Sequence, residues 1–566
     1  MEPTKPLKKP SITLNVAFTK YEVIRHVGSK ILNYKLSTDE EDEKWDVLWT
    51  DCAVQPEKLS KMQPYQKINH FPGMYSISRK NYLAMNLAKL KKKFPDDYNF
   101  FPRTWLYPCD FSELKYFLQS NKNAYLIVKP EASCQGRGIF LTKKLESIDP
   151  NGRFVVQEYL LRPFLIENLK FDLRVYVLVT GCDPLRIFIH EAGLTRFATE
   201  EYTKPTLNNC EDMCMHLTNY AVNKNNPNFI HNEDSEDDSG HKRTLLSTFE
   251  FLESEGYNTE QLKKEIDDSI IKTLISIQPT LAHHYKSCQP DDLANNMCFE
   301  LLGFDIILDS KLKPYVLEVN HTPSFTTDSP LDWKVKKKVI KDSLVLMNIS
   351  ARERKQFLKK LKEQLLKRAV SGRMEKESKE EREAKLKEIQ EKRDKWEKNH
   401  LGGFRKVFPV DGEDYDKFLG FAREVYQDWT GGQSRSRKVL IEKEIKTVKT
   451  VKTVKDFRKN LKVDLEQKTN RFSSIPNLVT PENNEKPNST VFERLSKPTI
   501  KRFKNYKTPV FPPLVYYDDL KPKLNQYFLT SSRVSNSKIE SKKTIQNVGF
   551  KGVRLFEFPF DKTFDA

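Results

Sequence analysis

The sequence of 566 residues contains no run of 18 or more apolar residues, and its opening MEPTKPLKKP has no apolar signal core. A helical membrane span needs about 20 consecutive apolar residues, so neither a membrane span nor secretion is expected. Cysteine is sparse: eight thiols are scattered along the chain, which fits reduced side chains of an intracellular protein better than a disulfide framework. The closest pair, Cys210 and Cys214, stands near His216, but no second Cys/His pair follows at finger spacing. Dispersed buried thiols are expected there, not a zinc site. The chain also lacks a Gly-Lys-Ser/Thr phosphate loop and a dinucleotide glycine fingerprint. Its length implies about three or four domains.

What is present in excess is positive charge, with 96 Lys and Arg against 78 Asp and Glu, a net +18. Residues 1–330 carry 40 basic and 45 acidic groups, whereas residues 331–566 carry 56 and 33. A slightly acidic portion that could fold as an enzyme is therefore followed by a cationic portion suited to a polyanionic partner: nucleic acid, anionic lipid or an acidic protein surface.

The pattern of apolar residues reads as α+β. SITLNVAF and YEVIRHVGSK suggest a strand and a helix, and WDVLWTD alternates as a strand does. Residues 78–94 place Tyr82, Met85, Leu87 and Leu90 near helical spacing, with Ser78 as N-cap and Pro95 as terminator. A helix is expected around 111–119, and five β-branched or aromatic runs between Tyr125 and Gly193 predict a sheet-rich core. A polar, acidic surface loop is expected at 225–242, and a long helical region from Leu245 to Lys286. Residues 351–400 set Phe357, Leu358, Leu361 and Leu365 on a Lys/Arg-rich background, which predicts a basic amphipathic helix. Residues 401–430 regain aromatics and are expected to pack back on it, while 431–566 are expected to be mostly disordered.

Three segments carry residues suited to chemistry. In LKFDLRVYVLV, strand alternation puts Lys170, Asp172 and Arg174 on one face and Phe171, Leu173, Val175 and Val177 on the other. That charged row is either a solvated strand face or the floor of a polyphosphate site, where a cation neutralises phosphate and a carboxylate holds sugar hydroxyls. In IVKPEASCQGRGIF, Lys129 ends a hydrophobic strand, and Gly136 and Gly138 flank Arg137 in a loop able to approach a ligand closely; a plain glycine hairpin is the alternative. In FDIILDSKLKPYVLEVN, a two-residue tip at Lys311 and Leu312 would set Asp305 opposite Glu318, with Asn320 on the same face. Like charges across a ladder are destabilising without a cation between them, and hard oxygen ligands of this kind suit magnesium bridging nucleotide phosphates.

Lys129, the glycine loop, QEYL, KFDLR, HLTNY and LLGFDIILD…EVN, in this order, resemble the tubulin tyrosine ligase-like family, built on an ATP-grasp fold. The resemblance covers about residues 45–350 and includes WDVLWTD and KINHFPGMYSISRKNYL. It implies an enzyme in which ATP and magnesium activate a carboxylate as an acyl phosphate, which an amino-acid amine then displaces to form an amide. Carried over residue by residue, it implies that Lys129 contacts phosphate and that Gln135 and Gly136 belong to the mobile phosphate loop. Gln157, Glu158, Tyr159 and Leu160 would form the adenine hinge, Lys170 and Asp172 would hold the nucleoside, and Thr218 and Asn219 would line the ATP site. Asp305, Glu318 and Asn320 would ligate magnesium, and Arg174 and Arg196 would face phosphate or the developing intermediates. Tyr220 and Lys242 would be amino-acid contacts.

Members of that family add tyrosine, glutamate or glycine. WEKNHLGGFRKVFP, after a basic helix, is similar to the cationic microtubule-binding segment of polyglutamylases, and His321 in EVNHTPSF is similar to the elongating ones. The expected protein is a monomeric tubulin polyglutamylase. It would join free L-glutamate to tubulin C-terminal tails on the microtubule lattice, in the cytoplasm and at the cytoskeleton, including cilium or basal body, without nucleic acid or membrane. A glycylase of the same family and a non-catalytic microtubule-binding protein with a vestigial ATP site remain as alternatives. The expected divisions are a disordered 1–10, an N-terminal α/β domain at 11–110, central and C-terminal ATP-grasp domains at 111–350, a basic helical extension at 351–430 and the tail at 431–566.

Overall fold

The computed structural model describes residues 11–430 apart from Ala132, Cys134, 233–239, 372–377 and 411–413. The expected disordered ends, 1–10 and 431–566, lie outside the described residues, as does the centre of the acidic 225–242 loop. The described residues belong to one unit, within Met1–Lys452; the other, Thr453–Ala566, is not described.

Three sheets organise the chain, in keeping with the expected α+β class of mixed and antiparallel sheets flanked by helices. β1 (Thr13–Phe18), β2 (Lys35–Ser37), β3 (Val47–Thr50) and β4 (Lys67–Ile68) form a parallel sheet in the order β2-β1-β3-β4. All of β3 is buried, as in parallel sheets covered on both faces, so continuous burial replaces the one-sided alternation read from WDVLWTD. β5 (Thr104–Tyr107), β6 (Leu126–Pro130), β7 (Phe140–Thr142) and β8 (Phe154–Glu158) form an antiparallel sheet in the order β5-β8-β6-β7. Alternation across β6 sends Leu126 and Val128 into a small core with Trp105, Leu114 and Phe117, beneath the helix Phe111–Ser120. Ile127 and Lys129 point the other way, into a cleft.

The third sheet contains β9 (Leu165–Ile166), β10 (Leu169–Cys182), β11 (Leu185–His190), β12 (Leu194–Glu201), β13 (Lys242–Thr244), β14 (Glu300–Leu308), β15 (Pro314–Asn320) and β16 (Phe404–Phe408). β10 is 14 residues long, enough to pair with β12 along its first half and β11 along its second, while β14 pairs along its middle. Phe171, Leu173, Val175 and Val177 enter one core; Tyr176 and Leu178, on the opposite face, enter a second core shared with Val335 and Val339 of the helix Pro330–Leu346. Lys170 and Asp172 are buried, so the charged row is not a solvated face. A parallel bridge between Ile68 and Cys298 ties the first sheet to this one.

Local chemistry sets the element ends. The region 245–286 is three helices, Leu245–Ser254, Thr259–Ile275 and Gln278–Cys288. Gly256 takes a left-handed φ of +84°, the Asn258 side chain accepts from the Gln261 N–H, and Pro279 sits in the first turn of the third helix. Ser78 is not the cap of the helix Lys80–Lys93: it closes the preceding turn Tyr75–Ser78, and Arg79 occupies the N-cap. That helix buries Leu83, Ala84, Leu87 and Leu90, while Met85 is exposed. Among the described residues no helix is long and apolar enough to cross a membrane.

The basic region forms two helices, Ala351–Ser371 and Lys379–Asn399, and Leu358, Leu361 and Leu365 of the first are exposed. The segment after them is built into the body. β16 pairs with β11, and Phe418 of the helix Asp416–Trp429 meets the rings of Phe94 and Tyr98 with centroids 4.9 and 5.5 Å away. Arg393 anchors the second basic helix: it donates to the carbonyls of Thr180 (2.6 Å) and Ala294 (3.2 Å) and to Glu397 (2.9 Å), and Glu397 also receives Arg186 at 2.7 Å. Arg393→Met strips one partner from this buried network, and a loss of about 3 kcal/mol in denaturant-induced unfolding is expected. A change below about 0.5 kcal/mol would mean the helix is only loosely seated.

Candidate active site

A cleft opens between the β5–β8 sheet and the central sheet. Its walls are Lys129 from β6, Gln157 and Glu158 from β8, Tyr159 and Leu160 beyond it, Lys170 and Asp172 from β10, and Asp305, Glu318 and Asn320 from β14 and β15. Gln135 and Gly136 close one side, and Thr218 and Asn219 another. Fourteen residues singled out from the sequence thus share one cavity. The glycine loop needs its glycines: Gly136 has φ +81°, and a Cβ there would stand 2.8 Å from Val222 and 3.4 Å from the Asn219 Oδ1.

Asp305 lies directly across the ladder from Glu318, and Gly303 from Asn320, the register expected from the sequence. The route to it differs. The expected two-residue tip is a longer loop, because Leu308 pairs with Pro314, and pairing runs one residue out of the expected register as far as Ile306 and Val316. A bulge at Leu317 then restores it, so the two departures cancel at the functional end.

The acidic floor is tied to arginines. Arg174 Nε lies 2.6 Å from Asp305 Oδ1; Arg196 reaches Asp305 Oδ2 at 2.8 Å and, through Nε, Asp172 Oδ1 at 2.8 Å. Burial would raise the Asp305 carboxyl, but Arg174 and Arg196 outweigh it and hold the group well below the usual carboxylate range. Asp172 goes the other way, burial raising it against the pull of Arg196. Neither arginine lines the cleft.

The lysines lack such partners. Lys129 Nζ donates to Gln157 Oε1 at 2.8 Å, and Gln157 Nε2 donates in turn to Thr104 Oγ1 at 2.9 Å. Lys170 Nζ donates to the Tyr159 hydroxyl (2.9 Å) and the His216 carbonyl (2.7 Å). No carboxylate lies within ion-pair distance of either among the described residues, and both are buried. Burial lowers Lys129 to about 8 and Lys170 to about 7. Holding two cations out of water without counter-ions is costly, and an anionic ligand would relieve it. His216 supports Lys170 from behind: the Tyr159 hydroxyl, accepting from Lys170, is 3.1 Å from Nδ1, and Nε2 is 3.0 Å from the Asn209 carbonyl. Burial, with Lys170 adding to it, pushes this imidazole down to about 4, so it is neutral and both ring nitrogens are engaged within the protein.

Three other residues read from the sequence sit off the cleft. Lys242 Nζ is 4.0 Å over the Tyr220 ring and 2.6 Å from Asp332, which also binds Lys336 at 2.7 Å. His321 belongs to a separate small cavity with His70, their rings 6.0 Å apart. Burial foremost, then the charges of His70 and Arg79, lowers it to about 4. His70 Nδ1 is 2.7 Å from Glu300, an ion pair the sequence did not disclose because 230 residues separate the partners. Lys80 was also missed. It donates to the Ser133 carbonyl at 3.2 Å and lies 3.5 Å from Glu318, linking the glycine loop to the carboxylates. A signal existed, since Lys80 opens a helix, where the macrodipole disfavours a cation.

The model of the tubulin-tyrosine ligase family matches residues 58–356, just over half of the chain. The chain belongs to the tubulin-tyrosine ligase family. With that membership, the two sheets flanking the cleft are those of an ATP-grasp-like fold. The chain is 53% identical over 443 residues to a probable beta-tubulin polyglutamylase of Tetrahymena thermophila, covering 77% of this chain and 37% of that protein. It is 44% identical to tubulin polyglutamylase ttll6 of Danio rerio (76% and 55% covered) and 43% identical to tubulin polyglutamylase TTLL6 of Homo sapiens (77% and 48%). The chain spans about half the length of the curated relatives it matches, or less.

Proposed function

We propose that the protein is an ATP- and magnesium-dependent glutamate ligase acting on acidic tubulin tails. The observation that carries this reading is the pair of buried lysines, Lys129 and Lys170, without counter-ions, facing Asp305, Glu318 and Asn320 in one cleft. The lysines await phosphate. The carboxylates, with the Asn320 amide turned oxygen-inward, offer hard oxygen donors that fit magnesium. No group of three His, Cys, Asp or Glu side chains assembles among the described residues, so two carboxylates and an amide would be the whole protein contribution, with the phosphates completing the shell. Bound there, the ion would offset charge on the transferring phosphoryl group.

ATP phosphorylates the acceptor carboxylate to an acyl phosphate, and the amine of glutamate displaces phosphate to leave an amide. In this scheme Lys129 holds phosphate, and Gln157, read from the sequence as part of the adenine hinge, instead orients Lys129. Tyr159 and His216 orient Lys170. Arg174 and Arg196 keep Asp305 ionised, and Lys242 and Tyr220 stand next to the cleft for the incoming amino acid. The interior of the cleft measures about 120 Å³, below the usual 300–1,000 Å³ of small-molecule sites. The relatives named for polyglutamylation favour glutamate, and the cationic residues 331–566 suit attraction to an acidic tail. His321, neutral and outside the cleft, would act on chain elongation only by hydrogen bonding, and the cytoskeleton is the expected location.

Mass spectrometry of tubulin treated with the protein, ATP, magnesium and glutamate tests this directly. Added glutamate masses on the tails are expected, and glycine offered in its place should add none. Unmodified tails under these conditions would sink the proposal. Binding of ATP should also take up protons. At pH 8 Lys170 is mostly and Lys129 about half neutral when free, and phosphate restores their charge, so about one to two protons enter per ATP. Affinity therefore falls as pH rises from about 7 to 9. Calorimetry in two buffers of different ionisation enthalpy measures the uptake, and none at pH 8 would contradict the role of the two lysines.

A further inference from the structure

A second concavity lies behind the strand that braces Lys129. It is a groove of about 650 Å³ between the helices Lys80–Lys93 and Phe111–Ser120, floored by residues 98–105. Leu87, Phe101, Trp105 and Phe117 make the floor apolar, and Tyr116 on the rim is 71% exposed. Lys91, Lys92 and Arg103 line it against a single acid, Glu113. None of the three cations has a carboxylate within ion-pair distance among the described residues; Lys91 donates only to the Phe101 carbonyl, and Arg103 lies 5.5 Å over the Phe117 ring. Burial lowers Lys91, and the nearby charges of Arg103 and Lys313 add to this against the pull of Glu158, while the three lining cations outnumber the one lining acid over an apolar floor.

We infer that this groove docks an acidic peptide, glutamate-rich and carrying an apolar side chain, as a site separate from the cleft. Charge complementarity names the acidic partner, and the apolar floor calls for an anchoring side chain between the acids. A single-stranded nucleic acid fits less well. Trp105 and Phe117 are buried, which leaves Tyr116 as the only lining aromatic available for stacking where such binders present several. Pro102 lines both groove and cleft, and Thr104, a groove residue, accepts from the Gln157 that holds Lys129. A docked peptide therefore lies along the back of the phosphate-binding strands.

The test uses the full chain and a labelled oligo-glutamate peptide containing one phenylalanine, with anisotropy as readout. It needs neither ATP nor ligation, so its outcome is independent of the ligase reading. Lys91→Glu/Lys92→Glu/Arg103→Glu should weaken binding at least about tenfold, whereas the charge-matched Lys20→Glu/Lys30→Glu/Lys35→Glu should change it less than about twofold. Equal losses in the two triples, or no loss in the first, overturn the site. So does loss of binding in Lys129→Met with the groove intact, which would place the peptide in the cleft, or equal affinity for an oligouridylate. If the first triple fails to fold, Lys92→Glu and Tyr116→Ala, both exposed, carry the same comparison, each expected to weaken binding by a few fold.

Discussion

Glu318→Gln is expected to lower glutamate incorporation by about a thousandfold at saturating ATP while leaving the unfolding midpoint nearly unchanged. The carboxylate stands across the ladder from Asp305 and, unlike Asp305, has no arginine; its only cation among the described residues is Lys80 at 3.5 Å. An amide keeps the shape and removes the charge. The several kcal/mol that a metal contributes to charge development on phosphate is then lost, at about 1.4 kcal/mol per factor of ten. Glu318 is also the main charge that raises Lys129 against burial. The variant should therefore move proton uptake on ATP binding to lower pH. Activity within about tenfold of the parent, with unchanged magnesium dependence, would remove Glu318 from the metal site.

Lys129→Met should impair ATP binding by about two orders of magnitude and, without ATP, make the protein more stable. The two effects share one cause. In the folded state burial lowers Lys129 to about 8 from its ordinary 10.5, so at pH 7 the lysine is charged in both states and the folded one bears the full desolvation penalty. At about 1.4 kcal/mol per pKa unit that penalty is about 3 kcal/mol, and it fades as pH rises from about 8 to 10.5, where the folded state has shed the proton and the unfolded state still holds it. Methionine fills the space without the charge, and a gain of about 1–3 kcal/mol in urea-induced unfolding at pH 7 is expected, shrinking above pH 8. A destabilised Lys129→Met would mean the lysine serves the fold and not a ligand. Stability given up for function is common where a binding site is held ready for its ligand.

The groove behind β5 extends the same logic to the acidic peptide inferred for it. Both concavities present cations without a carboxylate at ion-pair distance among the described residues, one with buried lysines suited to phosphate, the other with an apolar floor suited to a peptide. A tail held along the back of the catalytic sheets, together with the cationic residues beyond 331, would raise its local concentration without new contacts at the reacting atoms.

Part of the cleft was legible because its residues sit on strands, where a period of two assigns each side chain to a face, and the rest, such as Gln157, Thr218 and Asn219, came only from the family resemblance. Lys170 and Asp172, Ile127 and Lys129, and Asp305 with Glu318 all follow from that rule once the strands are recognised. Less legible were features that depend on distant chain meeting distant chain. Arg174 and Arg196 were read as facing a ligand; that they also pair with the carboxylates depends on β12 and β14 both flanking β10 at Arg174, a pairing no local pattern encodes. The incorporation of Phe404–Phe408 as a strand beside β11 is of the same kind.

Taken alone, the amino-acid sequence determined the α+β class, the family resemblance, the charge division near residue 330 and the identity of the residues that meet in the cleft. These rest on local periodicity, composition and motif order, which survive without knowledge of the partners. Only the tertiary structure decided that Lys129 and Lys170 lack counter-ions while Asp305 has two, that a bulge at Leu317 rescues the ladder register, and that Lys80, His70 and Glu300 join the neighbourhood. Burial and pairing set each ionisation, and both are properties of surfaces brought together in the fold, for His70 with Glu300 and Arg174 with Asp305 from positions 230 and 131 residues apart.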